Sequence, residues 1–195
     1  MKASVRFLTL ASLVLSSVGL SRAAVEIYTI DPVHSSVSFT IRHFVSRVSG
    51  NFTKVSGSIA VDRDHLEKST VEATIAVASV NTTNEKRDGH LLSADFFDVA
   101  KFEAITFKSV SWKKTGEDTF DVTGDLTMHG VTKSVVLKTH LLGFGPGMGG
   151  APNSGWEIST TLNKADFGVN GPSMLGKALG DEVAVTINIG ADCKK

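Results

Sequence analysis

The chain has 195 residues, with 20 basic and 20 acidic side chains and a single cysteine. That length suits one domain, and one cysteine excludes a disulfide-stapled scaffold. The even charge balance argues against a phosphate-gripping surface for nucleic acid, and no run of Lys or Arg forms a membrane-surface patch.

Residues 1–23 read as a secretory signal. Lys2 and Arg6 form a positive start, Phe7 to Leu20 is apolar, and Ser21 and Ala23 are small residues at the cleavage-determining positions. The stretch is short for a membrane span, so an uncleaved anchor is the rival reading. Cleavage after Ala23 would remove Lys2, Arg6 and Arg22 and no acid, leaving three more acids than bases. Residues 24–195 are long enough to bury one sizeable core.

This remainder reads as strand after strand. Val37, Phe39 and Ile41 alternate with polar residues, as do Val55, Ile59 and Val61, and then Val71, Ala73, Ile75 and Val77. Asn84 to Asp98 breaks the pattern as one or two helical turns, with Leu91, Leu92, Phe96 and Phe97 bunched after a polar start. Phe120, Val122, Leu126 and Met128 share one parity, followed by Val135, Leu137, Thr139 and Leu141. Gly143 to Gly155 reads as a glycine-rich loop, and Trp156, Ile158, Thr160 and Leu162 resume the alternation. Pro172 to Leu179 has helical spacing with Gly180 as a stop, and Val183, Val185, Ile187 and Ile189 close the chain. Period-two alternation buries one face of each strand. His129-Gly130 is a tight-hairpin signal, and Thr115 to Asp118 is a second polar turn. Many hairpin-joined strands predict a sandwich or barrel. Full closure removes exposed edges, and about eight strands can enclose one small ligand.

No enzyme signature stands out. The six histidines (His34, His43, His65, His90, His129 and His140) lack the close spacing of a helical zinc motif, so they read as structural. Ser35, Ser36 and Ser38 lie near His34 and Asp31, but sequence proximity is not triad geometry. No Gly-x-Ser-x-Gly elbow occurs. The glycines from Gly143 to Gly150 lack the Lys-Ser/Thr and helix start of a phosphate cradle. Asn51-Phe52-Thr53 and Asn81-Thr82-Thr83 fit glycosylation sequons, which would be chance matches if the protein is a bacterial one.

An ordered set of stretches is more specific. It comprises Asp31-Pro32-Val33-His34-Ser35, Arg42-His43-Phe44, Gly50-Asn51-Phe52 and Arg87-Asp88-Gly89-His90-Leu91. It continues through Ser93-Ala94-Asp95-Phe96-Phe97-Asp98, Phe102 to Phe107, Gly124 to Lys133, and Asp166-Phe167-Gly168. Together they resemble the YceI-like family of lipocalin-like, polyisoprenoid-binding proteins. The chain departs from the family pattern at Lys164, where an arginine is frequent before Asp-Phe-Gly, and lysine cannot reproduce a bidentate contact.

The resemblance implies an all-β, extended antiparallel barrel of about eight strands with one or two short helices and an elongated apolar cavity. It implies a periplasmic protein that carries or stores a polyisoprenoid or quinone-like lipid, without catalysis and with no other cofactor. The expected ligand-facing residues are Phe39, Ile41, Phe107, Phe120, Val122, Leu126, Leu137, Trp156, Ile158, Phe167, Met174 and Leu175. Expected partners are an apolar lipid and, through exposed strands, a second copy of the chain, with no membrane span after signal cleavage. The alternatives are a lipid-modifying enzyme or an interaction protein of the envelope-stress response.

Overall fold

The computed structural model describes residues 25–147 and 150–193. The signal segment expected at residues 1–23 lies outside the described residues.

The described residues form eleven strands in one antiparallel sheet. In chain order they are β1 (Glu26–Ile30), β2 (Ser36–His43), β3 (Ser46–Phe52), β4 (Val55–Val61), β5 (Thr70–Ala76) and β6 (Val80–Asn81). They continue as β7 (Ala104–Lys114), β8 (Thr119–Met128), β9 (Val131–Pro146), β10 (Pro152–Asn163) and β11 (Leu179–Cys193). The ring β1-β4-β5-β7-β8-β9-β10-β11 closes where β11 meets β1, with Tyr28 opposite Cys193 and Ile30 opposite Ala191. β2, β3 and β6 prolong the wall beyond β1, β4 and β5, so three of the eight ring positions are strands broken in two. The barrel is an up-and-down meander, and its closure removes from the ring the strand edges on which the dimer expectation rested.

The breaks are patched by serine hydroxyls. Between β1 and β2, Ser35 Oγ donates to Gly190 O and accepts from Gly190 N, both at 3.1 Å, in place of ladder bonds. Between β3 and β4, Lys54 N donates to Ser79 Oγ at 3.1 Å. The first bend is fixed by Asp31, whose carboxylate accepts from Val33 N at 2.8 Å and contacts His34 Nδ1. That contact holds the Asp31 carboxyl below its usual range and lifts the His34 imidazole above its own.

Glycines make room on the inner wall. A Cβ on Gly124 would stand 2.4 Å from the Phe107 ring and 2.5 Å from Lys108 O. One on Gly50 would stand 2.5 Å from the ring of its cross-strand partner Phe39. Both phenylalanine rings, on the inner face, therefore fold over the backbone of the wall instead of reaching toward the barrel axis.

Several sequence expectations meet a different chain. The Gly143–Gly155 stretch is mostly strand: β9 runs to Pro146, β10 starts at Pro152, and Phe144 pairs with Ser154. Glycines carry no side chain to display the alternation. β7 is a strand that the sequence reading does not include, and a bulge between Ser109 and Ser111 interrupts its alternation by shifting the inward parity from Phe107 to Trp112. The short β1 and β6, and the polar β3, were also missed. The Asn84–Asp98 turns contain α1 (Glu85–Leu92), whose N-cap Asn84 accepts from Arg87 N at 3.0 Å. Pro172–Leu179 holds a 3-10 segment, Ser173–Ala178, interrupted at Gly176. The His129-Gly130 hairpin is as expected, with both residues at positive φ.

Two predictions follow from these contacts. Gly124→Ala should lower stability by about 1–3 kcal/mol through overpacking, read as a lower urea midpoint at unchanged slope. Nuclear magnetic resonance titration should find the His34 imidazole more basic than an ordinary one, and Asp31→Asn should return it toward the ordinary value. The raised His34 value stabilises at low pH and is lost as pH rises through it; the lowered Asp31 value stabilises at high pH and is lost as pH falls. The pair is thus strongest between the ordinary carboxylate and imidazole values.

Candidate functional site

The ring encloses a hollow of about 430 Å³, within the roughly 300–1,000 Å³ of sites that hold whole small molecules. Period-two alternation builds its wall. On β10, Trp156, Ile158, Thr160 and Leu162 border the space, and on β11 Val183, Val185, Ile187 and Ile189 do so. Their sequence neighbours Glu157, Ser159 and Thr186 face outward and are exposed. The inward Phe39, Ile41, Leu137, Ile158, Val185 and Ile187 are only half-buried, although they point into the barrel. Side chains that face inward and still keep accessible surface line a space and do not fill a core. Along β10 the wall from Trp156 to Leu162 spans about 20 Å at the rise of a strand.

One end is stopped by rings. Trp112 and Trp156 border the hollow and meet edge to face, with centroids 5.7 Å apart. Behind them Phe120 packs on Trp112 at 5.8 Å, and Phe144 packs on Trp156 at 6.0 Å and Tyr28 at 5.8 Å. Arg63 lies over the Phe144 ring, 3.7 Å from its centroid, and donates to Tyr28 Oη at 3.1 Å. Tyr28 in turn donates to Glu26 at 2.6 Å. Burial, reinforced by that carboxylate acceptor, raises the Tyr28 phenol to about 12. Trp156 Nε1 donates to Ser154 Oγ at 3.0 Å, whereas buried Trp112 Nε1 has no acceptor among the described residues.

The other end is polar. His43, Thr82, Arg87, His90 and Lys164 all border the hollow there. Lys164 is the most enclosed cation: its side chain is 9 % exposed, and Nζ donates to Asp181 at 3.1 Å and Asn170 O at 3.3 Å. Arg87 donates through Nε and one terminal nitrogen to Thr82, each at 2.7 Å. His90 Nε2 lies 2.7 Å from Asp95. Leu91, Phe96 and Phe97, from α1 and the turns after it, supply apolar cover.

Of the residues expected to face a ligand, Phe39, Ile41, Phe107, Val122, Leu126, Leu137, Trp156, Ile158 and Leu175 border this one space. Phe120, Phe167 and Met174 do not. Phe120 stands behind Trp112, past the floor. Phe167 is buried in the 3-10 turn after β10, where strand parity has ended. Met174 is 88 % exposed, since the tighter 3-10 winding turns Leu175 inward instead. The polar rim was not anticipated. Its signal was present: His43 continues the parity of Phe39 and Ile41, and Lys164 that of Ile158 and Leu162. Thr82, Arg87 and His90 reach the space from the connection into α1 and from α1 itself, where no strand parity announces them. Among the described residues, no group of three or more His, Cys, Asp or Glu is placed to hold a metal ion. No described helix is long and apolar enough to cross a membrane.

Residues 28–191 match the model of the YceI-like domain. A UPF0312 protein of Azotobacter vinelandii (strain DJ) is 40 % identical over 166 residues, covering 83 % of this chain and 86 % of its own. A UPF0312 protein of Pseudomonas savastanoi pv. phaseolicola is 38 % identical over 180 residues, covering 92 % and 93 %. Among solved structures, the YCEI protein of Campylobacter jejuni superposes with a TM-score of 0.69 at 31 % identity, over 77 % of this chain and 88 % of that one. Two more distant structures share the fold. A polyisoprenoid binding domain from Saccharophagus degradans has a TM-score of 0.69 at 17 % identity, over 86 % and 98 % of the two chains. Burkholderia cenocepacia BcnA has a TM-score of 0.76 at 21 % identity, over 83 % and 98 %. With the barrel, its hollow and the ordered sequence match in agreement, the chain belongs to the YceI-like family.

Proposed function

We propose that the protein is a periplasmic carrier or store of a polyisoprenoid or quinone-like lipid, with no catalytic step of its own. Family and fold are consistent with a lipid held in the barrel cavity. The observation that carries the reading is the distribution of polarity along the hollow. Its charged and titratable groups (His43, Arg87, His90 and Lys164) gather at one end, and the opposite end is aromatic. A molecule that complements this space has a long apolar body and one polar head. The tail packs against Phe39, Ile41, Phe107, Val122, Leu126, Leu137, Trp156, Ile158 and Leu175, and the head rests among the rim groups. Each methylene taken from water contributes about 0.8 kcal/mol, partly offset by immobilisation of ligand and wall. The fold relative from Saccharophagus degradans is described as a polyisoprenoid binding domain, which supports the same ligand class here. Export through the residue 1–23 signal, cleaved after Ala23, brings the carrier to the compartment between two membranes.

Native mass spectrometry of the purified mature protein should detect one prenyl lipid per chain, recoverable by organic extraction. Ile158→Asp places a carboxylate on the apolar wall, where an unpaired charge is strongly disfavoured. Its lipid occupancy should fall by roughly tenfold or more, a change of about 1.4 kcal/mol. Ile158→Trp, which narrows the hollow without charging it, should lower occupancy with folding retained. A wild-type protein that stays empty when offered prenyl lipids would defeat the proposal.

A further inference from the structure

The hairpin between β2 and β3 at the polar end of the barrel is built against its own backbone. Its two turn residues are Phe44 and Val45, between His43 and its partner Ser46. Phe44 adopts φ 52°. In a two-residue hairpin with one positive φ at the first central position, glycine is the favoured residue, because a Cβ is strained there. The chain instead places a phenylalanine there and leaves it 61 % exposed, beside a fully exposed valine. Strain and exposed apolar surface at one turn are each unfavourable for the free fold, and a residue that combines them calls for a functional reason.

The surroundings indicate what covers this tip. His43, the residue before it, borders the hollow. Phe44 N is bonded to Ala178 O, which ties the tip to the Ser173–Ala178 segment carrying exposed Met174 beside the cavity-lining Leu175. Phe44, Val45 and Met174 are thus exposed apolar residues continuous in the chain with the wall of the hollow. Arg42 and Arg47, which are exposed, stand opposite each other directly beneath the turn. Sheet pairing brings the two together, with Arg42 Nη1 donating to Phe44 O at 3.0 Å, beside a surface groove that they share with Asp181 and Glu182. Asp181 and Glu182 lie on the adjoining strand, where Asp181 is engaged by Lys164.

We infer that the Phe44–Val45 tip, with Met174, docks the polar end of the barrel on a bilayer containing anionic phospholipid. The apolar side chains enter the acyl boundary, and Arg42 and Arg47 lie at the level of the headgroup phosphates. The role of this contact, delivery of a lipid between bilayer and cavity, rests on the carrier reading above; the contact itself does not.

The test is flotation of the mature protein with vesicles of phosphatidylethanolamine and phosphatidylglycerol. Wild type should float, and Phe44→Gly with Val45→Ser should reduce the bound fraction by roughly tenfold, since interfacial binding scales with buried apolar area. Glycine suits the positive φ, so this variant should melt no lower than wild type. Met174→Ser alone should give a smaller loss. Wild type that stays with the soluble fraction, or a variant that floats equally well, would overturn the inference. So would an unchanged flotation accompanied by loss of a dimer in sedimentation equilibrium, which would assign the tip to a second copy of the chain. Flotation by a protein that never acquires a prenyl lipid would uphold the docking and sink the carrier reading.

Discussion

The structure depends on the short seam where β11 turns from β2 to β1. Among the described residues, Tyr28, Thr29 and Ile30 register there with Cys193, Asp192 and Ala191, helped by the Ser35 bonds to Gly190. Without that closure the sheet would expose two edges and a broad apolar face. With it, the wall screens the inward side chains laterally, and above the Trp112–Trp156 pair a space stays open between them. Phe39 and Phe107 are held flat by Gly50 and Gly124, and the space they would occupy stays open. An open apolar space forfeits the dispersion contacts that a packed core would gain. A guest of matching shape would supply such contacts along the wall.

The two ends of the hollow are made by different physics. The aromatic end is held by ring edges, with Arg63 and Glu26 securing the Tyr28 hydroxyl behind it. Trp156 satisfies its indole on Ser154, while buried Trp112 Nε1 has no acceptor among the described residues. The polar end is held by ionic and hydrogen-bonded contacts of rim residues with one another and with nearby loops. Lys164, itself 9 % exposed, is paired with Asp181, a carboxylate that is 65 % exposed. A lysine suits this place because its long apolar stem continues the wall while its ammonium reaches the rim.

The barrel was legible wherever alternation ran uninterrupted, as from Trp156 to Leu162 and from Val183 to Ile189. It was illegible where one residue resets the count. The Ser109–Ser111 bulge hid Trp112, and the glycines around Phe144 hid a ring that backs the floor. Parity told which residues face inward but not how far along the axis each one lies. Phe120 and Val122 share a face, yet one is behind the floor and the other above it. Depth comes from the stagger of neighbouring strands, a property of pairings tens of residues apart. The polar rim was hidden for a related reason: its members come from a strand end, a connection, a helix and a 3-10 turn, and only the closed ring brings them together.

The ring-stopped floor gives the cavity a direction. A tube open at both ends could pass a guest through, but a blind pocket must admit and release it by the same mouth. A long guest then goes in tail foremost and comes out head foremost, and its head is the last part to be sheltered and the first to meet whatever lies outside. On the proposed carrier reading, delivery would be a matter of how the whole body is turned, with no gate required in the wall.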